Sequence, residues 1–364
     1  MNKCTLIIDG NWLLMSRLGI MMGDFNKDQE QCRLEAARDN MIDFVAQSIN
    51  KMISFWGDRI DNIMMVQDGG SWRKHVPKPS IITEEYKGNR VSAEDVAWDY
   101  VWMALDIICK NFKTNNITCI TEHDVEGDDW CWYWSRYLNH IGTNCIIWTS
   151  DADLKQLVQC DPTTDAWTVW FNEKAGLYVS NTFNRSDMDI LIDFRGTDTF
   201  LEDICRRSQK YTYINPDDIV MSKVVCGDKG DNIKPLLQYP KTNGSGKTTT
   251  CSVSLKEWGM IKEDLRISTM EDFKASKDNI IDAALHLPRF AGCSTSKKDL
   301  RELFDYNIIL VRLHKEQIPK EIQLIMNKHR SEYTVTDMDY LRHNYKVLAC
   351  QQEKVADLFK DIPF

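Results

Sequence analysis

Short apolar runs and longer amphipathic runs alternate through the first 160 residues, and this alternation limits the fold more than any other feature of the chain. Cys4–Ile8, Ile63–Gln67, Ile117–Thr121 and Cys145–Thr149 are short, rich in Ile, Val and Thr, and bounded by polar residues, which predicts strands. Gln31–Phe55, Ala93–Phe112 and Asp128–Ile141 are predicted helices. Their apolar residues recur at three- and four-residue spacing, as in Val96, Tyr100, Met103, Ile107 and Ile108. Strands separated by helices imply βαβ units, hence an α/β fold with a mainly parallel, twisted sheet covered on both faces. Trp167–Phe171 and Gly176–Val179 read as a hairpin, and the rest of 161–215 is irregular. From about Asp217 the pattern is mostly helical, interrupted by the Gly/Lys-rich stretch Gly227–Thr250. A boundary near residue 215 is expected, between an α/β part (1–215) and a helical part (216–364).

Each predicted strand runs into acid. Asp9 follows the first, Asp68 the second, Glu126, Asp128 and Asp129 the third, and Asp151 and Asp153 the fourth. In an open parallel sheet the carboxyl ends of the strands lie side by side and ligands bind there, so these seven carboxylates should converge. Crowded anions repel one another and raise each other's pKa. Hard divalent cations such as Mg²⁺ or Mn²⁺ remove that cost, and two such ions about 3.5–4 Å apart hydrolyse phosphodiesters. Asp228 and Asp231, three residues apart in a Gly-containing turn, extend the set to nine. The net charge is −9, and setting those nine aside leaves acids and bases equal at 45 each. The competing reading is that Asp after a strand caps the next helix. It suits any one position better than it suits seven acids at four strand ends.

The motifs resemble those of flap endonucleases, and more closely the phage 5′-nucleases of the ribonuclease H type. Ile-Ile-Asp-Gly-Asn (7–11), Gln-Asp-Gly (67–69), Glu-Gly-Asp-Asp (126–129), Ser-Asp-Ala-Asp-Leu-Lys-Gln-Leu (150–157) and Gly-Asp-Lys-Gly-Asp-Asn-Ile (227–233) stand in that family's order. Tyr-Lys-Gly-Asn-Arg (86–90) is similar to its Tyr-Lys-x-x-Arg element, and Asn307–Leu313 with Ile318-Pro319 to a late helical segment. The resemblance implies a two-metal-ion 5′-3′ exonuclease or flap endonuclease, with ribonuclease H activity a further expectation. Asp9, Asp68, Glu126 and Asp128 match the family's first metal cluster. Asp151, Asp153, Asp228 and Asp231 match the second, and Asp129 is shared or outer. It also implies a basic arch at about 71–95 with Lys87 and Arg90 on the 5′ strand, and a helical C-terminal region gripping duplex DNA. Substrates would be duplex DNA with a 5′ flap or single-stranded 5′ end, or RNA–DNA hybrid. The family's Gly-x-Gly-x-Lys-Thr helix-hairpin-helix and its K⁺ are matched loosely by Gly244, Gly246, Lys247 and Thr248, at stretched spacing.

Other signals weigh less. Ser71–Val91 carries Arg73, Lys74, Lys78, Lys87 and Arg90 against Glu84 and Glu85, which suits either a solvated loop or a phosphate guide beside Asp68. Tyr86 is grouped with the nucleic-acid contacts, and Lys87 and Arg90 are expected one turn apart on a helix. Gly244–Thr248 invites a P-loop reading, but the required glycine position is Lys241 and no strand precedes it. This counts against an ATPase. A non-hydrolytic branched-DNA-binding protein is the remaining rival, and the complete acid set argues against it. Trp130, Trp134 and Tyr137 share a helix face, along with Trp132 and Tyr133 nearby, and core packing is the simplest account, with base stacking the alternative. His123 and His75 are the histidines nearest the acids. The 12 cysteines include no Cys-x-x-Cys, the seven histidines form no i, i+4 pair, and no apolar run reaches the length of a membrane span. A cytoplasmic monomer without zinc, disulfides or signal peptide is expected. The closing stretch 355–364 carries Leu358, Phe359, Ile362 and Phe364. It reads as an amphipathic turn or a tail docking on a sliding clamp, with Val355 where such tails often carry Gln. A single-strand-binding protein is the other partner considered.

Overall fold

The computed structural model describes residues 4–90, 92–182, 212–242, 244–246, 248–290 and 293–349. Lys247, the tail 355–364 and residues 183–211 of the irregular stretch lie outside the described residues. The chain divides into two compact units. One comprises Met1–Gly70, Ala93–Tyr213 and Glu321–Phe364, the other Ser71–Ser92 and Ile214–Lys320. This division differs from a single cut at 215, because the chain after Lys320 returns to the first unit. Asn62 Nδ2, for example, donates to the Tyr333 hydroxyl at 2.8 Å and the Thr334 carbonyl at 3.0 Å.

The first unit is built on β1 (Cys4–Asp9), β2 (Ile60–Val66), β3 (Thr118–Ile120), β4 (Asn144–Trp148), β5 (Gln159–Cys160), β6 (Trp167–Asn172) and β7 (Gly176–Ser180). Its helices are α1 (Gly10–Met21), α2 (Gln31–Trp56), α3 (Trp98–Thr114) and α4 (Gly127–His140). The sheet order is β3-β2-β1-β4-β6-β7, continued by β8 (Thr212–Ile214), with β5 paired to β6. β1 pairs in parallel with β2 and β4, and β4 with β6, while β6–β7 is the expected antiparallel hairpin. All six residues of β1 are buried, as a central strand covered on both faces requires. Register sets Asp9 opposite Val66 and Ile8 opposite Trp148, so the loops after β1, β2 and β4 leave the sheet at one level.

The second unit contains α5 (Pro216–Cys226), a ribbon of β9 (Gln238–Thr242) and β10 (Thr248–Ser252), and α6 (Leu255–Asp264), α7 (Met270–Ala275), α8 (Lys277–Leu285) and α9 (Lys297–Val311). Its core gathers Val224, Ile233, Trp258, Phe273 and Phe304. Gly244 and Gly246 stand in the turn of the antiparallel ribbon, between α5 and α6, where the sequence suggests a helix-hairpin-helix-like element.

Candidate active site at the carboxyl ends of the strands

Asp9 ends β1 and caps α1. Its Oδ1 accepts from the Trp12 amide at 2.9 Å and its Oδ2 from the Thr149 hydroxyl at 2.8 Å. Thr149 also accepts from the Asp151 amide at 3.0 Å, and Asp151 Oδ1 accepts from the Asp153 amide at 2.8 Å. One hydroxyl therefore couples the end of β1 to the acidic turn after β4. Trp170 of β6 fixes that turn from the other side, donating from its indole to the Asp151 carbonyl at 2.8 Å.

Asp68, beyond β2, is held at the start of α4. The Gly127 amide donates to its Oδ1 at 2.5 Å, and its own amide donates to Asn11 Oδ1 at 2.9 Å. An anion at a helix N-terminus is favoured by the unpaired amides there. The neighbouring backbone leaves no room for a side chain at Gly69. A Cβ there would lie 1.8 Å from the Glu122 carbonyl oxygen. The close approach lets Gly69 donate to Val125 and accept from Asp124, lacing the Asp68 loop to the segment before Glu126. Gly69→Ala is expected to lower stability by about 3 kcal/mol and to displace Asp68. A urea-unfolding midpoint equal to wild type would contradict that.

Asp68 and Asp151 act electrostatically on Asp9, and all three act with Asp128 on the Cys131 thiol of α4. Burial pushes the Asp9 carboxyl up to about 7 against its amide and hydroxyl donors, and the charged neighbours acting on it, Asp68 and Asp151, raise it further. The Cys131 thiol on α4 is likewise raised by burial first, then by Asp9, Asp128, Asp68 and Asp151 together. Glu126 stands at the N-cap position of α4 and is buried, and Asp129 in its first turn is fully enclosed. An all-oxygen set that encloses a carboxyl raised as Asp9 is fits a hard divalent cation.

Asp228 and Asp231 belong to the second unit, in a turn closed by backbone hydrogen bonds that Asp228 and Ile233 exchange. Both carry protein counter-charges, Lys223 on Asp228 and Arg90 on Asp231. Burial pushes Asp228 up, but the Lys223 ammonium and the Gly230 and Asp231 amides outweigh it and hold the carboxyl below its usual value.

Several expected nucleic-acid contacts are placed otherwise. Arg73 is 1% exposed with its guanidinium over the Trp72 ring, and Tyr86 is buried in the core of the second unit. Lys87 and Arg90 are not on a helix. Residues 86–89 form turns, and Lys87 takes a left-handed φ of 56°. Lys74 is exposed. Trp130 and Trp134 are fully enclosed, and Trp132 and Tyr133 nearly so, which is core packing and not a stacking surface. His123 pairs with Asp124 at 3.0 Å, and His75 lies in a short 3₁₀ turn of the second unit. Sequence reasoning missed Asn11, Thr149, Lys223 and Trp170, although Asn11 and Thr149 sit within or beside the quoted motifs.

The fold is the 5′-nuclease fold. Among solved structures, the chain is similar to the T5 D15 protein co-crystallised with metal ions, at 17% identity and a TM-score of 0.51, covering 96% of this chain and 100% of that one. It is equally similar to a variant of bacteriophage T5 D15 flap endonuclease in a pseudo-enzyme-product complex with DNA and metal ions, at 16% identity, the same coverage and a TM-score of 0.51. No family model and no curated protein sequence matches the chain. Among the described residues, no helix is long and apolar enough to cross a membrane.

Proposed function

We propose that this chain is a divalent-cation-dependent 5′-nuclease that hydrolyses phosphodiester bonds at 5′ ends, flaps or RNA primers on duplex nucleic acid. The observation carrying this reading is that Asp9, Asp68, Asp128 and Asp151 act together at the carboxyl ends of the strands, with Asp9 raised by burial first and then by Asp68 and Asp151. Those four, with Glu126 and Asp153, would hold Mg²⁺ or Mn²⁺, and Asp228 and Asp231 would hold a second ion. Asp129 is assigned an outer role. Such a cation supplies acidified water and neutralises charge on the phosphate.

The protein's own part is positioning. Thr149 fixes Asp9 and the Asp151 turn as one body, while Gly127 and Asn11 fix Asp68. Preorganised ligands lose little order when loaded, which is where a rigid sheet edge serves catalysis. Lys74, Lys87 and Arg90 are assigned to phosphates of the 5′ strand. The Gly244–Gly246 turn is assigned to duplex DNA, with K⁺ as its expected ion.

The reading is tested with 5′-labelled flap, blunt duplex and RNA–DNA hybrid substrates, each in Mg²⁺ and in EDTA. Cleavage of at least one substrate in Mg²⁺ and none in EDTA is expected. Binding of branched DNA with no cleavage in either condition would favour the non-hydrolytic alternative.

A further inference from the structure

Two turns of the second unit are bound to each other along their length. The Lys87 amide donates to the Asp231 carbonyl at 2.9 Å, and Asn89 Nδ2 to the Lys229 carbonyl at 2.6 Å. In return Asn232 Nδ2 donates to the Glu85 carbonyl at 2.9 Å, and Lys234 Nζ to the Ile81 carbonyl at 2.8 Å. Arg90 completes the contact, its guanidinium donating to Asp231 Oδ1 at 2.5 Å. Where the turns meet, each carries a non-glycine residue in left-handed backbone, Lys87 at φ 56° and Asn232 at φ 58°. Such residues persist where their surroundings hold them, and they cluster at clamps and switches.

The Arg90–Asp231 pair is asymmetric. The Arg90 side chain is 57% exposed and that of Asp231 12%. The acid is enclosed and the base sits at the surface, so the base changes partner at little desolvation cost. The Lys223–Asp228 pair is different, with both side chains mostly enclosed at 19% and 22% exposure.

We propose that Arg90 is the resident counter-ion of Asp231 and exchanges partners. The guanidinium leaves the carboxylate when a divalent cation loads the Asp228–Asp231 turn, and it then takes up a phosphate of the nucleic acid. This rests on the reading of that turn as cation-holding. Arg90 holds Asp231 through Oδ1, and a divalent cation loaded on the same carboxylate meets the guanidinium as a like charge at short range. Phosphate drawn to Arg90 therefore vacates Asp231, and cation and nucleic acid strengthen each other's binding by a reciprocal factor. Arg90 thereby makes loading of this turn conditional on substrate.

The test is titration of the full chain with Mn²⁺ alone, counting free ion by electron paramagnetic resonance. Arg90→Gln is expected to tighten the weaker Mn²⁺ site about tenfold, a typical coupling factor. Arg90→Lys, which keeps the charge, should stay within about threefold of wild type, and Asp231→Asn should remove the site. With a 5′-overhang duplex of uncleavable phosphorothioate backbone, wild type should bind Mn²⁺ more tightly and Arg90→Gln should show little further gain. If Asp231→Asn leaves every Mn²⁺ site intact, the cation reading of the turn fails. If Asp231→Asn removes a site that Arg90→Gln does not tighten, the exchange is wrong and the cation reading stands.

Discussion

Asp9→Asn and Asp151→Asn should each slow cleavage by on the order of a thousandfold or more, with nucleic-acid binding equal to or tighter than wild type. Asp9→Asn keeps an oxygen for the Trp12 amide, and the Thr149 oxygen can accept from the new side-chain amide as it already accepts from Asp151. The architecture therefore survives, and what disappears is one unit of negative charge in a group of four carboxylates. That charge is what a divalent cation requires, and it is also what repels an approaching phosphate. Single-turnover rates at saturating enzyme separate the two effects. A variant that cuts at the wild-type rate in ordinary Mg²⁺ would remove the basis for assigning these acids to a cation.

The acids are legible because strand ends are legible. A buried parallel strand is a short apolar run, and the polar residue ending it marks the level at which the chain leaves the sheet. β1, β2, β3 and β4 all show themselves this way, each within a few residues. α1 does not, because it lacks a clean polar face. Leu13, Leu14 and Leu18 are buried while Met15 and Ile20 are exposed, so no stripe stands out. The β9–β10 ribbon is hidden for the opposite reason. It is polar, carries Pro240 within a strand and turns through glycines, so it reads as loop.

Long-range identity of partners is the least legible feature. Arg73 and Tyr86 sit in a basic stretch and look exposed, but their surroundings come from the tertiary fold. The return of the chain after Lys320 to the first unit leaves no local mark either, since it depends on pairs such as Trp134 and Tyr333, 5.6 Å apart between ring centres. Helical spacing suggests that Lys87 and Arg90 share a face, but Gly88 and Asn89 between them favour turns, and the backbone at Lys87 follows the turn.

Without divalent cations the protein should become less stable as pH rises from about 4 to 7, and Asp9 is the reason. Its folded-state carboxyl titrates at about 7 against an ordinary 3.8. Between those values the folded chain holds a proton that the unfolded chain has released, so stability falls with rising pH across the window and levels off above it. A shift of this size corresponds to about 4 kcal/mol. Cations bind the ionised carboxylate, so their stabilising effect should grow through the same window. Melting temperatures in EDTA should decline from pH 5 to pH 8, and millimolar Mg²⁺ should raise them more at pH 8 than at pH 5. Asp9→Asn removes the titrating group, so its melting temperature in EDTA should depend less on pH and exceed wild type at pH 8. An equal Mg²⁺ effect at both pH values, or an unchanged slope in Asp9→Asn, would mean that Asp9 is not the strained acid. The substitution that abolishes cleavage should therefore stabilise the cation-free fold. A carboxylate buried among other anions for function leaves that mark, because the cost of burying its charge, with the repulsion added to it, stays in the fold until a cation relieves it.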